Sequence, residues 1–199
     1  MTIVDPLGDV TIKVTEYDDD VTRVEGQPPI IHLTAEFQVR KEILIKNSSF
    51  FKVLLTSSKY AEAAGATISL EGDHVMSMEI WFRVLHDTIT DNTYAVPLDE
   101  MWHLAAACDK YDLDIKCLKE WFARWLEQQD MKKLKPRELL YPCWLFDHAK
   151  GFATATQHLA YSSTGHITEI NPTKHFELHL PPRIIRKLRF PLCYSSCLI

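Results

Sequence analysis

One stretch of fifteen residues, Phe37 to Phe51 (FQVRKEILIKNSSFF), constrains the fold of this chain more than any other. Phe37 and Val39 sit two apart, as one face of a strand places them. Ile43 and Leu44 then open a short helical turn. Ser48 suits the N-cap of a helix over Ser49–Leu55, because its hydroxyl can accept a first-turn N–H that has no partner inside the helix. Strand end, turn and capped helix bring Phe50, Phe51, Leu54 and Leu55 together as an apolar hub.

The rest of the chain supplies material to pack around that hub. With 199 residues, 46% of them hydrophobic and 25% charged, it can bury a full core in one or two domains and does not read as disordered. No run of about 18 apolar residues is present, so no transmembrane helix is expected. The opening MTIVDPLGDV lacks the basic start and apolar core of a signal peptide, so a cytoplasmic or nuclear location and no membrane partner are expected. Five cysteines (Cys108, Cys117, Cys143, Cys193, Cys197) without CxxC spacing read as free thiols. Ser196 stands where a prenylation box needs cysteine.

In chain order, Val10, Ile12 and Val14 alternate as a half-buried strand. The acidic Glu16–Asp20 run is a solvated turn, and Gln27-Pro28-Pro29 a connector. Ile30–Leu33 is a strand feeding into Phe37–Val39. Ser57–Gly65 is a loop of small residues, Thr67–Leu70 a short strand, and Asp73 a cap for a helix from His74 to about His86. That helix carries Val75, Met78, Phe82 and Leu85 as one stripe. Thr88–Val96 reads as a polar connection. Pro97 leads into a helix over Leu98–Lys110, faced by Met101, Leu104, Ala105 and Cys108. A helix over Asp112–Glu127 follows, with Ile115, Leu118, Phe122 and Trp125 inward. Pro136 opens a further helix that Pro142 can kink and Gly151 can end. Gly151–Tyr161 reads as another helix and Ser162–Thr173 as turns. Pro181-Pro182 starts a short basic segment, Arg183–Arg189, and the end after Pro191 reads as a frayed tail.

The fold class expected is α+β: a small, mostly three-stranded sheet capped by α-hairpins, then a helical extension. Residues 9–127 form the first domain and residues 131–199 the basic extension. Residues 1–130 carry 12 Lys and Arg against 23 Asp and Glu, whereas residues 131–199 carry 10 against 4. The acidic part does not suit nucleic acid, whose phosphates need clustered cations. The basic part either meets an acidic partner or docks on the acidic part of its own chain.

Two stretches resemble a known family. Phe37, Val39, Lys41, Ile43, Leu44, Ser48 and Phe51 match the signature of a BTB/POZ domain, with Arg40 where the family most often has histidine. Asp9-Val10 resembles the start of that domain's first core strand, and Glu62 stands where the family often has an acidic residue. Leu104–Asp112 (LAAACDKYD), with Trp121 and Trp125 behind it, is similar to the closing helices of BTB proteins from filamentous fungi. The resemblance covers roughly residues 9–127. It implies protein–protein interaction: an adaptor between a substrate and a cullin-type ubiquitin ligase, or a self-associating, transcription-associated regulator in the nucleus. In the ligase adaptors a hydrophobic-x-Glu triplet after the third core helix often helps dock the cullin. Leu98-Asp99-Glu100 has that form at the start of the next helix, which makes Leu98 and Glu100 the partner-binding candidates.

No catalytic, cofactor or metal site is expected. His175 and His179 flank Glu177, but the alternation with Phe176, Leu178 and Leu180 favours a strand whose polar residues face solvent. Cys143 and His148 are five apart without a third group to orient the imidazole. No phosphate-binding glycine loop is present. Self-association is expected to be weak and to use helix faces, since Met1–Gly8 spans at most about 29 Å and offers little to exchange.

Overall fold

In the computed structural model, which describes residues 1–18, 28–57, 67–162, 167–173, 175 and 177–187, the Phe37–Phe51 stretch forms a strand end, a turn of helix and a capped helix. Strands β1 (Thr2–Ile3), β2 (Val10–Tyr17), β3 (Ile31–Val39) and β4 (Thr67–Glu71) make one sheet in the order β1-β3-β2-β4. β2 and β3 are an antiparallel hairpin that sets Ile12 opposite Phe37 and Val10 opposite Val39. β4 runs parallel to β2 with Ile68 beside Ile12, and parallel neighbours need a crossover. Helices α1 (Lys41–Asn47) and α2 (Ser49–Thr56) lie on that crossover. Alternation then decides which face is covered: Val10, Ile12, Val14, Phe37, Val39, Ile68 and Leu70 are all buried.

The fourth strand is a correction to the three-stranded expectation. Thr2 and Ile3 lie parallel to Phe37 and Gln38, on the outer edge of β3. The backbone N–H groups of Val4 and Asp5 both donate to the Gln38 carbonyl, and Gln38 Nε2 returns a bond of 2.9 Å to Gly8 O. Gly8 permits this approach, because a Cβ there would stand 2.7 Å from Gln38 Cγ and 2.8 Å from Val39 N. Short pairing of this kind leaves no periodic signal in the sequence. The acidic run beyond Asp18, most of the Ser57–Gly65 loop, Glu62 and the tail after Lys187 lie outside the described residues.

Six further helices follow: α3 (Val75–Leu85), α4 (Glu100–Tyr111), α5 (Lys119–Gln128), α6 (Pro136–Leu145), α7 (Ala149–Ser162) and α8 (Pro182–Lys187). The molecule is therefore α+β. Most of each inward stripe is buried (Val75, Met78, Phe82; Met101, Leu104, Ala105; Leu118, Phe122, Trp125), whereas Leu85, Cys108 and Ile115 are half-buried. Four details differ. Asp73 does not cap α3; its carboxylate accepts from Lys110 Nζ at 2.9 Å and from the Tyr111 hydroxyl, while Glu16 Oε2 takes the Val75 N–H at 2.9 Å. The helix expected from Asp112 begins later, because Asp112 turns left-handed at φ 47° and a 3-10 turn at Ile115–Leu118 precedes α5. The polar connection hides a second 3-10 turn, Asp91–Tyr94, whose Tyr94 ring stacks on Trp121 at 6.0 Å. Gly151 ends nothing: it lies buried inside α7, where a side chain would meet Leu126, Cys143 and His148 at 2.7–2.8 Å.

Candidate protein-interaction surface

The two stretches that carry the family resemblance meet at Ser48, whose partner Tyr111 is 63 residues away. Its hydroxyl accepts the Phe51 N–H at 3.0 Å, which is the capping bond the sequence predicts, and donates to Tyr111 O at 2.6 Å. Ser48 also forms an isolated antiparallel bridge with Leu113. Next to it the Ser49 hydroxyl donates to Asp112 Oδ2, so the N-terminus of α2 is tied to the left-handed corner that ends α4. The rings of Phe50, Phe51 and Tyr111 lie 5.0–5.5 Å apart. Below them the Tyr111 hydroxyl bonds to Asp73, and its pKa is pushed far up by burial and by that carboxylate, so it stays neutral.

Beside this junction an open cleft of about 650 Å³ runs between α1 and α2 on one side and the α4–α5 corner on the other. Its apolar lining comes from Ile45, Leu113 and Ile115, and its rim from Lys46, Lys52, Lys116, Asp112 and Asp114. The Cys108 thiol opens into it but donates to Leu113 O at 2.7 Å, and burial together with Asp109 pushes its pKa up to about 12. A thiol held protonated is a poor nucleophile. Phe50 and Val53 add exposed apolar surface on α2, at 38% and 53% exposure. An apolar floor inside a charged rim is the usual anatomy of a protein-binding patch.

The sequence candidates sit elsewhere. Leu98 is buried, and Glu100 is buried with its carboxylate already bound: Ser77 Oγ donates to Oε2 at 2.6 Å, and His74 Nδ1 lies 3.1 Å from Oε1. Burial works to raise the Glu100 pKa, but the His74 and Ser77 hydrogen bonds and the nearby imidazole charges hold it below the usual carboxylate range. Neither side chain is presented to an incoming partner. Asp99 caps α4, and Glu100 lies inward against α3. Ser77 gives its proton to the carboxylate and not to an imidazole.

His74 belongs to a longer array that the sequence did not reveal. Its ring stacks on His103 at 3.4 Å, and His103 Nδ1 lies 3.3 Å from His175 Nε2. Among the described residues of His175–His179 none lies in a strand, and Leu178 N–H donates to His175 O. His175 meets His103 of α4 while its side chain remains about a third exposed. The spacing of Glu100 and His103, three apart on one helix, was the signal available for half of this cluster. Cys143 and His148 are also separated in role. Burial pushes the Cys143 thiol up to about 12, and His148 Nδ1 accepts the Gly151 N–H at 3.0 Å. Among the described residues no group of three His, Cys, Asp or Glu side chains has the geometry to hold a metal ion, and no helix is long and apolar enough to cross a membrane. Comparison with family models and with curated proteins gave no match.

Proposed function

We propose that the chain is a protein–protein interaction module of the BTB/POZ kind, without catalytic activity, serving as an adaptor for a cullin-type ubiquitin ligase. The observation that supports this reading is the junction at Ser48. The strand–turn–helix stretch and the Leu104–Asp112 stretch each resemble the same family, and they are bonded to one another through Ser48, Ser49, Tyr111 and Asp112.

The partner surface in this reading is the cleft beside the junction. A partner side chain enters between Ile45, Leu113 and Ile115, and carboxylates of the partner meet Lys46, Lys52 and Lys116. Leu98 and Glu100 take no part in it. The test is titration of the purified chain against the N-terminal region of a BTB-binding cullin by calorimetry. Wild type is expected to bind, and the triple variant Lys46→Glu/Lys52→Glu/Lys116→Glu to bind at least tenfold more weakly with an unchanged melt. No heat from wild type at 100 µM, about the concentration a weak contact needs, removes the adaptor reading.

A further inference from the structure

We propose that the turn between α5 and α6, residues 132–135, is a docking site for a protein carrier whose groove is lined with carboxylates, the class that takes lysine-rich segments into the nucleus. Four of the six residues 132–137 are cations: Lys132, Lys133, Lys135 and Arg137. A short lysine-rich run of this kind suits either such a carrier or a nucleic acid. It shares no residue with the cleft beside Ser48, so the site stands apart from the adaptor reading.

The fold decides which of these cations are offered. α5 ends at Gln128, and Asp130 shapes the turn that follows: its Oδ1 accepts the Lys132 N–H at 3.1 Å and its carbonyl the Lys133 N–H at 2.8 Å. Met131 and Leu134 pack against the core, which leaves Lys132 and Lys133 exposed between them. Among the described residues neither of these two ammonium groups is in an ion pair. Lys135 is extended, at φ −82° and ψ 110°, because a residue before proline is kept out of the helical region and Pro136 opens α6. The Lys135 side chain is 75% exposed and bonds to Glu138 Oε1 at 2.8 Å. The lysine end of that pair lies in water and can pass to a partner's carboxylate. Arg137 is the exception: it is half-buried, its Nη1 donating to Thr168 Oγ1 at 3.4 Å. Three ammonium groups are thus presented on one short stretch.

Charge separates the two kinds of partner. Glu127 and Asp130 lie exposed just before the run and Glu138 follows it, and residues 1–130 carry 12 Lys and Arg against 23 Asp and Glu. A nucleic acid carries a phosphate at every step, so a strand laid along the run continues over those carboxylates and is repelled. A groove on a protein is limited in length. Residues 132–135 span at most about 14 Å when extended, so carboxylates spaced along such a groove meet the three lysines and stop short of Glu127 and Glu138. Asp130 is already engaged by the Lys132 N–H.

Titration of the fluorescently labelled full chain with a purified nuclear import receptor for lysine-rich cargo, followed by anisotropy at about 0.15 M salt, tests the site. Wild type is expected to bind, and Lys132→Ala/Lys133→Ala to bind about tenfold more weakly with an unchanged melt, since both side chains are exposed. Lys46→Ala/Lys52→Ala, which removes the same charge at the cleft, is expected to bind as wild type does. No binding by wild type at about 50 µM receptor overturns the proposal. Equal weakening in the two variants also overturns it, because net charge alone then sets the affinity. A third result against it is a single-stranded oligonucleotide that binds more tightly than the receptor and is lost with Lys132 and Lys133, which assigns the run to nucleic acid.

Discussion

At the scale of single residues, neutral side chains in fixed hydrogen bonds do much of the locking. His86, just past α3, is buried; it accepts the Arg40 backbone N–H at Nε2, 3.0 Å away, and its Nδ1 lies 2.7 Å from Phe82 O. That pattern puts the proton on Nδ1 and leaves the ring uncharged. Burial is the main cause that holds the pKa below the usual 6.5; the Phe82 carbonyl and Asp5 act the other way without reversing it, and Arg40 adds to the lowering. A histidine whose pKa is lower when folded stabilises the fold above its unfolded value. Its contribution is lost as pH falls from about 6.5 through the folded value, because the unfolded chain takes the proton first. The melting temperature should thus be level near pH 8 and decline below pH 6.5, with a shallower decline in His86→Gln. An equal slope in the variant removes His86 from the account. The tryptophans give a second comparison. Trp125 Nε1 donates to Val96 O at 3.0 Å, whereas Trp121 Nε1 is buried with no partner among the described residues. Replacing either by Phe removes similar volume, but only Trp125→Phe orphans a buried carbonyl. It should cost about 1–3 kcal/mol more than Trp121→Phe in denaturant melts, and equal costs would refute the bond's role.

At the scale of elements, helix faces and the close crossings between helices decide the architecture. Leu104 is fully buried on α4, and the carbonyl of the same residue accepts the Trp81 indole N–H from α3 at 3.1 Å. Leu104→Asp places an unpaired carboxylate there at a cost of several kcal/mol, comparable to the whole stability, and should unfold the protein. An unchanged thermal melt would show that the face is wrongly assigned. Gly151 marks the α6–α7 crossing. A branched side chain there would press on Leu126 Cδ2, Cys143 Sγ and His148 Nδ1 together, so Gly151→Val should destabilise by about 1–3 kcal/mol despite the poor helix propensity of glycine. These two residues also show what the sequence could and could not carry. Leu104 was legible because periodicity of 3.6 states which residues face inward. Gly151 was misread as a helix end, because glycine is consistent both with a C-cap and with a tight crossing, and only the neighbour's position separates them. The cleft was illegible for a related reason. Lys46, Lys52 and Lys116 lie on three elements, and no local pattern announces that a corner at Asp112 will gather them. Leu98 and Glu100 had a local pattern, but both are buried beside the cap at Asp99.

At the scale of the whole molecule, the boundary near residue 130 is a boundary of charge and not of packing. The basic extension could have docked on the acidic part by charge, yet stacked rings and a neutral hydrogen bond join α4 and α5 to α6 and its end. Trp102 donates its indole N–H to Glu138 O at 3.0 Å and stacks on Tyr141 at 4.6 Å; Phe122 stacks on Phe146 at 4.5 Å. Among the described residues an ion pair does cross the boundary, Lys119 with Asp147 at 2.6 Å, but there the acidic part supplies the cation and the basic part the anion. Lys119 draws the Asp147 carboxyl below its usual range, but both side chains are more than half exposed, and such pairs contribute about 0–1 kcal/mol. The two parts share one core that runs from the sheet through α3–α5 into α6 and α7. The sequence suggests that residues 1–130 fold alone. The shared core argues that they do so only with Trp102 and Phe122 uncovered, each a loss on the order of 1.5–3 kcal/mol. The full chain should therefore melt in one transition, its midpoint changing little between low salt and 0.5 M sodium chloride. Residues 1–130 alone should melt markedly lower, or fail to melt cooperatively. Two separate transitions in calorimetry, or a second part that salt detaches, would mean that charge holds the extension in place and that the packing of Trp102 and Phe122 does not.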